Sequence, residues 1–245
     1  MRNLKLTLQY DGTDFFGWQM QPGRRTVQEV VESAIFEITR ERVRLNASGR
    51  TDSGVHALGQ VANFYTGTRL PCPALLKGIN AKLPEDVTAR ECVEAPQGFC
   101  ANKDAVRKRY RYVIADSRTP SPFLRKYAWF THLPLNEAAM SRAAQFLLGR
   151  HDFLCFETEG PNRLSSVRTI TNLEVTRHDE CVWIEVEADG FLYNMVRAIT
   201  GTLYQVGRGY WPTDAIPAIL ESRDRSRAGP TAPPEGLFLV HVTYA

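Results

Sequence analysis

Ser48-Gly49-Arg50-Thr51-Asp52-Ser53-Gly54-Val55-His56-Ala57 sets one carboxylate between two glycines, beside an arginine and hydroxyl side chains. Glycine reaches backbone conformations that a side chain forbids, so Gly49 and Gly54 mark a tight loop rather than a helix or strand. Alternation resumes directly afterwards, with Val61, Asn63 and Tyr65 on one face and Ala62 and Phe64 on the other. A loop that feeds a strand can hold its side chains rigidly, as a reactive carboxylate requires. These residues alone leave two readings of Asp52. It is a turn aspartate that hydrogen-bonds its own backbone, or it is the reacting group of a site.

On the amino-terminal side, residues 4 to 11 alternate Leu4, Leu6, Leu8 and Tyr10 against Lys5, Thr7, Gln9 and Asp11, a half-buried strand. A glycine- and aromatic-rich loop follows, through Trp18 to Gly23. Thr26 and Glu29 stand at capping-box spacing, so the Thr26 hydroxyl is expected to take a backbone N–H and Glu29 to reach back. Val27, Val30, Val31, Ala34, Ile35 and Ile38 recur at helical spacing and predict an amphipathic helix over 27–39. Beyond the strand at 60–66, Pro71 and Pro73 open a helix through Leu75, Leu76 and Ile79. Pro84-Glu85-Asp86 ends it, and a strand near 87–94 follows.

The second half repeats that order. Residues 108–115 set Tyr110, Tyr112 and Ile114 against Arg109, Arg111 and Val113. Asn136 to Leu148 reads as a helix stopped by Gly149. Residues 168–177 and 181–189 read as a hairpin, 191–206 as a helix closing at Gly207, and Pro212 to Leu220 as a short helix. An irregular segment spans 222–236, and a last strand runs from Leu237 to Tyr244. In the 191–206 helix, Met195, Val196, Ile199, Leu203 and Val206 form a core stripe; Tyr193, Arg197, Gly201, Tyr204 and Arg208 form a second. A mid-helix glycine costs about 1 kcal/mol against alanine, so Gly201 implies another segment passing close by. Arg197, one turn earlier, then needs a carboxylate partner, for which Asp52 is the candidate; the alternative is an arginine lying along the surface. The repeated element order predicts two α/β halves, residues 1–103 with the Asp52 loop and residues 104–245, the boundary falling near 100–106.

With 245 residues, 43% of them hydrophobic, the chain can bury a substantial core. No stretch approaches the roughly 18 apolar residues of a membrane span, and Met1-Arg2-Asn3-Leu4-Lys5 lacks signal-peptide architecture. Five scattered cysteines with no Cys-x-x-Cys pair point to a reducing, cytoplasmic setting and away from zinc. The five histidines show no ligand spacing, and no structural metal is expected. A net charge of +3 does not by itself announce a nucleic-acid binder. The run Arg107-Lys108-Arg109-Tyr110-Arg111-Tyr112 is more specific: it contains no acid and alternates base with aromatic, the two residue types used for phosphate neutralisation and base stacking.

The 48–57 string resembles the active-site loop of the tRNA pseudouridine synthases of the TruA family. It departs from their Gly-Arg-Thr-Asp-Ala-Gly-Val-His-Ala pattern only in having Ser53 for alanine. The resemblance spans nearly the whole chain: Tyr10-Asp11-Gly12-Thr13, Phe16-Gly17-Trp18-Gln19, Thr26-Val27-Gln28-Glu29, Arg109-Tyr110-Arg111-Tyr112, His151-Asp152-Phe153, Phe191 to Gly207, and Gly236-Leu237-Phe238-Leu239-Val240. It implies two RNA-recognition-motif-like halves with a joined, mainly antiparallel sheet and a central basic cleft flanked by helices. It also implies isomerisation of uridine to pseudouridine at positions 38–40 of the tRNA anticodon arm, by a homodimer and without a cofactor. The implied roles are Asp52 as nucleophile, Tyr110 as stacking ring (with Tyr112 in the core), Arg197 as ion-pair partner, Arg50 as a phosphate contact and Leu237 as an apolar wall. One departure stands out: Phe99-Cys100-Ala101-Asn102 has asparagine where the family usually carries an arginine expected to help bind RNA.

Two rival readings remain open from the residues. Asp52-Ser53-Gly54 matches the aspartic-protease triplet, but that chemistry needs a second aspartate and no other Asp-Ser/Thr-Gly occurs in the chain. A non-catalytic RNA-binding module would use the Tyr110 face and the basic residues and would not need Asp52.

Overall fold

The computed structural model describes residues 1–158 and 165–245. In chain order the elements are β1 (Arg2–Tyr10), α1 (Val27–Thr39), β2 (Asn46–Ala47), β3 (His56–Thr66), α2 (Cys72–Asn80) and β4 (Val87–Ala95). Then follow β5 (Ala105–Ala115), β6 (Trp129–Phe130), α3 (Glu137–Ala144), β7 (Gly149–Asp152), β8 (Val167–His178), β9 (Cys181–Ala188), α4 (Met195–Gly207), α5 (Ala215–Ser222) and β10 (Leu237–Tyr244). The fold is mixed α/β with mostly antiparallel pairing. It divides into two compact units, Met1–Val106 with Phe238–Ala245, and Arg107–Leu237.

In the first unit β1 lies between β4 and β3, antiparallel to both, while Phe238 and Leu239 of β10 pair in parallel with His56 and Ala57 of β3. The alternation of β1 is realised in full: Leu4, Leu6 and Leu8 are completely buried and sit opposite Phe64, Ala62 and Gln60. Val31 and Ile35 of α1 and Leu75 and Ile79 of α2 are buried as well. Each such side chain contributes about 1.5–3 kcal/mol relative to exposure. Helix α1 spans the expected residues, but its capping box does not form. Thr26 is the N-cap, yet its buried hydroxyl makes no hydrogen bond. The carbonyls of Gly17 and Trp18 accept the Val27 and Gln28 N–H groups instead, so the preceding loop caps the helix with its own backbone.

In the second unit the strands run β5-β9-β8-β7, with β6 alongside β5. Val182, Ile184 and Val186 of β9 are buried and stand opposite Ile114, Tyr112 and Tyr110 of β5. Two helices are shorter than their sequence patterns. Helix α3 ends at Ala144 and continues as a 3-10 turn to Leu147, before Gly149 takes a φ of +91°. Helix α4 begins at Met195 rather than 191, because Asn194 adopts the left-handed conformation (φ 58°) that breaks helical propagation. Among the described residues no helix is long and apolar enough to cross a membrane, and no cluster of side chains could hold a metal ion.

Candidate active site

Asp52 sits in a loop held from below by a buried polar network. The apolar row Leu4, Leu6, Leu8 ends at Tyr10, and the facing row Phe64, Ala62 ends at Gln60, so two polar groups occupy the end of a hydrophobic face. Burying them unpaired would cost several kcal/mol. They are paired with each other and with groups of the loop. Gln60 accepts from Ser48 Oγ at 2.7 Å and donates to the Gly49 carbonyl at 2.8 Å and to the Tyr10 hydroxyl at 3.4 Å. The Tyr10 hydroxyl meets Thr51 Oγ1 at 2.8 Å. Burial raises the Tyr10 phenol to about 12, which keeps it a protonated hydroxyl throughout the physiological range.

From the other side the loop is pressed against residues 11–18. A Cβ on Gly12 would stand 2.0 Å from the Val55 carbonyl oxygen, and one on Gly17 2.6 Å from that of Thr51 and 3.1 Å from the Asp52 carbonyl carbon. Only glycine allows this approach. Trp18 donates its N–H to the Thr51 carbonyl, and the Phe15 carbonyl accepts from Gly54 N–H and Ser53 Oγ. Gly54 takes a φ of +78°, and Val55 N–H closes the turn onto the Asp52 carbonyl. Immediately downstream, buried His56 accepts the Gly12 N–H on Nδ1, lies 3.2 Å from Asp11 Oδ1 and stacks on Phe238. The outcome is a half-buried Asp52 and an exposed Arg50 on a backbone fixed at every other residue.

Asn102 belongs to this frame. The buried pair Asn3 and Asn63 holds the turn at residues 96–101, and from there Asn102 Nδ2 donates to the Ser48 carbonyl at 2.8 Å. The residue standing where the family usually has arginine therefore spends its amide on the entrance of the Asp52 loop.

Tyr110, Arg197 and Leu237, also singled out in the sequence, lie in the second unit. Tyr110 lies on β5 with 9% of its surface exposed, its ring edge-on to Phe191 at 5.0 Å between centroids. Lys108, on the same face, is held below its usual pKa by burial. Tyr112 is fully buried, as expected of a core residue. The other face of β5 corrects the reading of the basic run. Glu187 of β9 pairs with Arg107 and Arg109, and Glu185 pairs with Arg111, whose guanidinium also lies 4.0 Å from the Trp183 ring. The run contains no acid, but its neighbouring strand supplies two.

Arg197 projects from the first turn of α4. Its Nη1 donates to Asn194 Oδ1 at 2.9 Å and its Nε to the Ala232 carbonyl at 2.6 Å, while Ala232 N–H returns to the Arg197 carbonyl. The segment expected near Gly201 is this one: a Cβ at Gly201 would stand 1.7 Å from the Pro230 carbonyl oxygen. Gly229 N–H bonds to Thr202 Oγ1, and the Tyr112 hydroxyl holds the Pro233 carbonyl at 2.6 Å. The segment ends in buried Leu237.

Thr51, Asp52, Gly12, Gly17, Tyr10 and Gln60 are thus assembled within the first unit, and Arg197 and Leu237 are bound to one segment of the second. Sequence reasoning assigned no site role to Tyr10, Gln60, Gly12 or Gly17. The available signal was a glutamine standing where the strand's core face should be apolar.

A family model described as tRNA pseudouridine synthase matches residues 7–111 and 143–245. The tRNA pseudouridine synthase A of Acetivibrio thermocellus is 48% identical over 244 residues, and that of Thermoanaerobacter sp. (strain X514) is 44% identical over 244 residues, each alignment covering both chains in full. Among solved structures, a chain of a Cbf5-Nop10-Gar1 complex shares 11% identity at a TM-score of 0.35, over 82% of this chain and 54% of that one, too loose a likeness to add to this. With full-length identity near one residue in two and a family match through both units, this chain belongs to the tRNA pseudouridine synthase family.

Proposed function

We propose that this protein isomerises uridine to pseudouridine in the anticodon arm of tRNA, at positions 38–40, with the Asp52 carboxylate as nucleophile. The reaction breaks the C1′–N1 glycosidic bond, turns the uracil and joins C1′ to C5. The C5 hydrogen leaves as a proton and N1 gains one, so no oxidant or cofactor is consumed. Asp52 attacks either C1′ or C6 of the ring. The other proposed roles are Tyr110 as the ring on which uracil stacks, Arg50 and Arg197 as cationic contacts, and Leu237 as an apolar wall. A target base leaves its helix at a cost of a few kcal/mol, which these contacts offset. The reading extends to a homodimer working in the cytoplasm.

The observation that carries it is the seating of the Asp52 loop. A turn aspartate of no consequence does not need Gly12, Gly17, Tyr10 and Gln60 arranged around its backbone. A rigid frame around one half-buried carboxylate suits a nucleophile, which must meet its carbon in a single geometry. The test uses tRNA carrying tritium at uridine C5. The wild-type protein should release tritium as the C1′–C5 bond forms, and Asp52→Asn should release none while still binding tRNA. Multiple-turnover release by a freshly prepared Asn variant would sink the assignment. Unimpaired binding with no release by the wild type would favour the non-catalytic RNA-binding module.

A further inference from the structure

Phe15 and Phe16 each lie beneath an arginine, and the two pairs have opposite surroundings. The Arg25 guanidinium stands 4.0 Å from the Phe15 ring centroid, and that of Arg24 stands 4.4 Å from the Phe16 centroid. Phe15 is 1% exposed, and Arg25 is gripped by both carboxylate oxygens of Asp86 at 2.7 and 2.9 Å. That pair is accounted for as structure. Phe16 is 44% exposed, and among the described residues no carboxylate pairs with Arg24. Among the described residues, no other side chain pairs with the Arg24 guanidinium or stacks on the Phe16 ring.

The exposed pair is also rigid and joined to the Asp52 loop. Phe16 N–H bonds to the Arg25 carbonyl at 2.9 Å, Gln21 Nε2 donates to the Phe16 carbonyl at 3.0 Å, and Arg24 N–H closes onto the Gln21 carbonyl at 3.2 Å. On one side of Phe16, the Phe15 carbonyl accepts from Ser53 and Gly54; on the other, Gly17 packs against Thr51 and Asp52. Phe16 is therefore one residue removed, in both directions, from direct contact with the loop that carries the carboxylate.

We propose that Phe16 and Arg24 form a nucleotide platform beside the active-site loop: Phe16 stacks on an unpaired base next to the target uridine, and Arg24 meets its phosphate. The inference rests on the reading of Asp52 as an RNA-directed nucleophile. An aromatic face with an adjoining uncompensated cation is the pairing by which proteins hold single-stranded RNA, and bases stack on guanidinium planes as well as on rings. A fixed platform also explains why the pair is immobilised by three backbone-directed hydrogen bonds although it is open to water.

The test compares wild type, Phe16→Ala, Phe16→Trp and Arg24→Gln in tritium-release kinetics on tRNA, with binding measured at several salt concentrations. Phe16→Ala should raise KM about tenfold with kcat within about twofold of wild type, and Phe16→Trp should restore KM. Arg24→Gln should reduce the log–log salt slope of binding by about one. An active wild type accompanied by unchanged KM and slope in the variants overturns the platform and leaves the function standing; a wild type that releases no tritium overturns the function itself. A change confined to kcat in Phe16→Ala, or a loss of self-association in sedimentation with KM unaltered, also overturns the platform, the first making Phe16 a prop for the loop and the second a protein contact.

Discussion

Residues 48–55 and residues 228–236 are both irregular, and both lie tightly against glycine of another segment, but the first is fastened to its neighbours by its own side chains as well. The first adds to its backbone bonds the hydroxyls of Ser48 and Thr51, which end on Gln60 and Tyr10. The second is held through its own backbone: Gly229 N–H, both peptide groups of Ala232 and the Pro233 carbonyl bond to Thr202, Arg197 and Tyr112. A segment tied by side chains needs particular residues at particular positions and shows itself as a motif. A segment tied by backbone groups needs only room, which is provided here by Gly201, and its own residues look unremarkable.

The contrast predicts different failures. Gln60→Leu keeps the volume but leaves the Gly49 carbonyl without its side-chain donor and takes one partner each from Ser48 Oγ and the Tyr10 hydroxyl, an unsatisfied buried group costing about 1–3 kcal/mol. A loop displaced by about 1 Å loses on the order of a hundredfold in rate, so kcat should fall by roughly that factor with KM for tRNA little changed. Wild-type kcat in this variant would show that the network supports the fold and not the carboxylate.

Gly201→Ala addresses the other segment. Its Cβ would overlap the Pro230 carbonyl, so residues 229–232 must shift away from α4. Overpacking of this kind costs about 1–3 kcal/mol, or roughly 2–12 °C in melting temperature for a chain of this size. Calorimetry of the purified variant measures it. An unchanged melting temperature would mean that the segment yields freely and that the helix glycine has some other origin.

The smallest effect is expected from Tyr10→Phe, which removes one hydroxyl from the network, with a fall in kcat of a few-fold. It carries a pH signature. Burial raises the phenol from about 10 in the unfolded chain to about 12 in the fold. The stability it confers is therefore complete below pH 10 and is lost as pH rises toward 12. Melting temperatures between pH 9 and 12 should decline less steeply in the Phe variant than in wild type. Parallel declines would place the Tyr10 hydroxyl in contact with water.

What could be read from the sequence followed the range of the interactions. The body of α1 and the strand alternation of β1 are local patterns, and both are present in the structure. The α1 cap was misread because its acceptors come from Gly17 and Trp18, a loop the helix pattern does not include. The arginines of β5 looked uncompensated because Glu185 and Glu187 lie more than seventy residues away in sequence and become neighbours only through strand pairing. Gly201 was informative for the opposite reason: its cost inside a helix is local, so the demand for a passing segment could be inferred, and Pro230 meets it. Asn102 could be noticed as a departure, but its bond to the Ser48 carbonyl depends on a turn set by Asn3 and Asn63 that no spacing reveals.

The pairing of β10 with β3 has a consequence for biosynthesis. Phe238 and Leu239 pair with His56 and Ala57, the residues directly after the Asp52 loop, and Phe238 stacks on the His56 ring. Between Val106 and Phe238 the ribosome must make the whole of the second unit. At about 5–20 residues per second that interval lasts on the order of ten seconds, during which the strand beside the loop has an open edge. The first unit is thus closed only after the second has been made, and a nascent chain holds its loop without this brace until Phe238 and Leu239 have been added. An incompletely made protein of this kind would bear the motif without the finished frame.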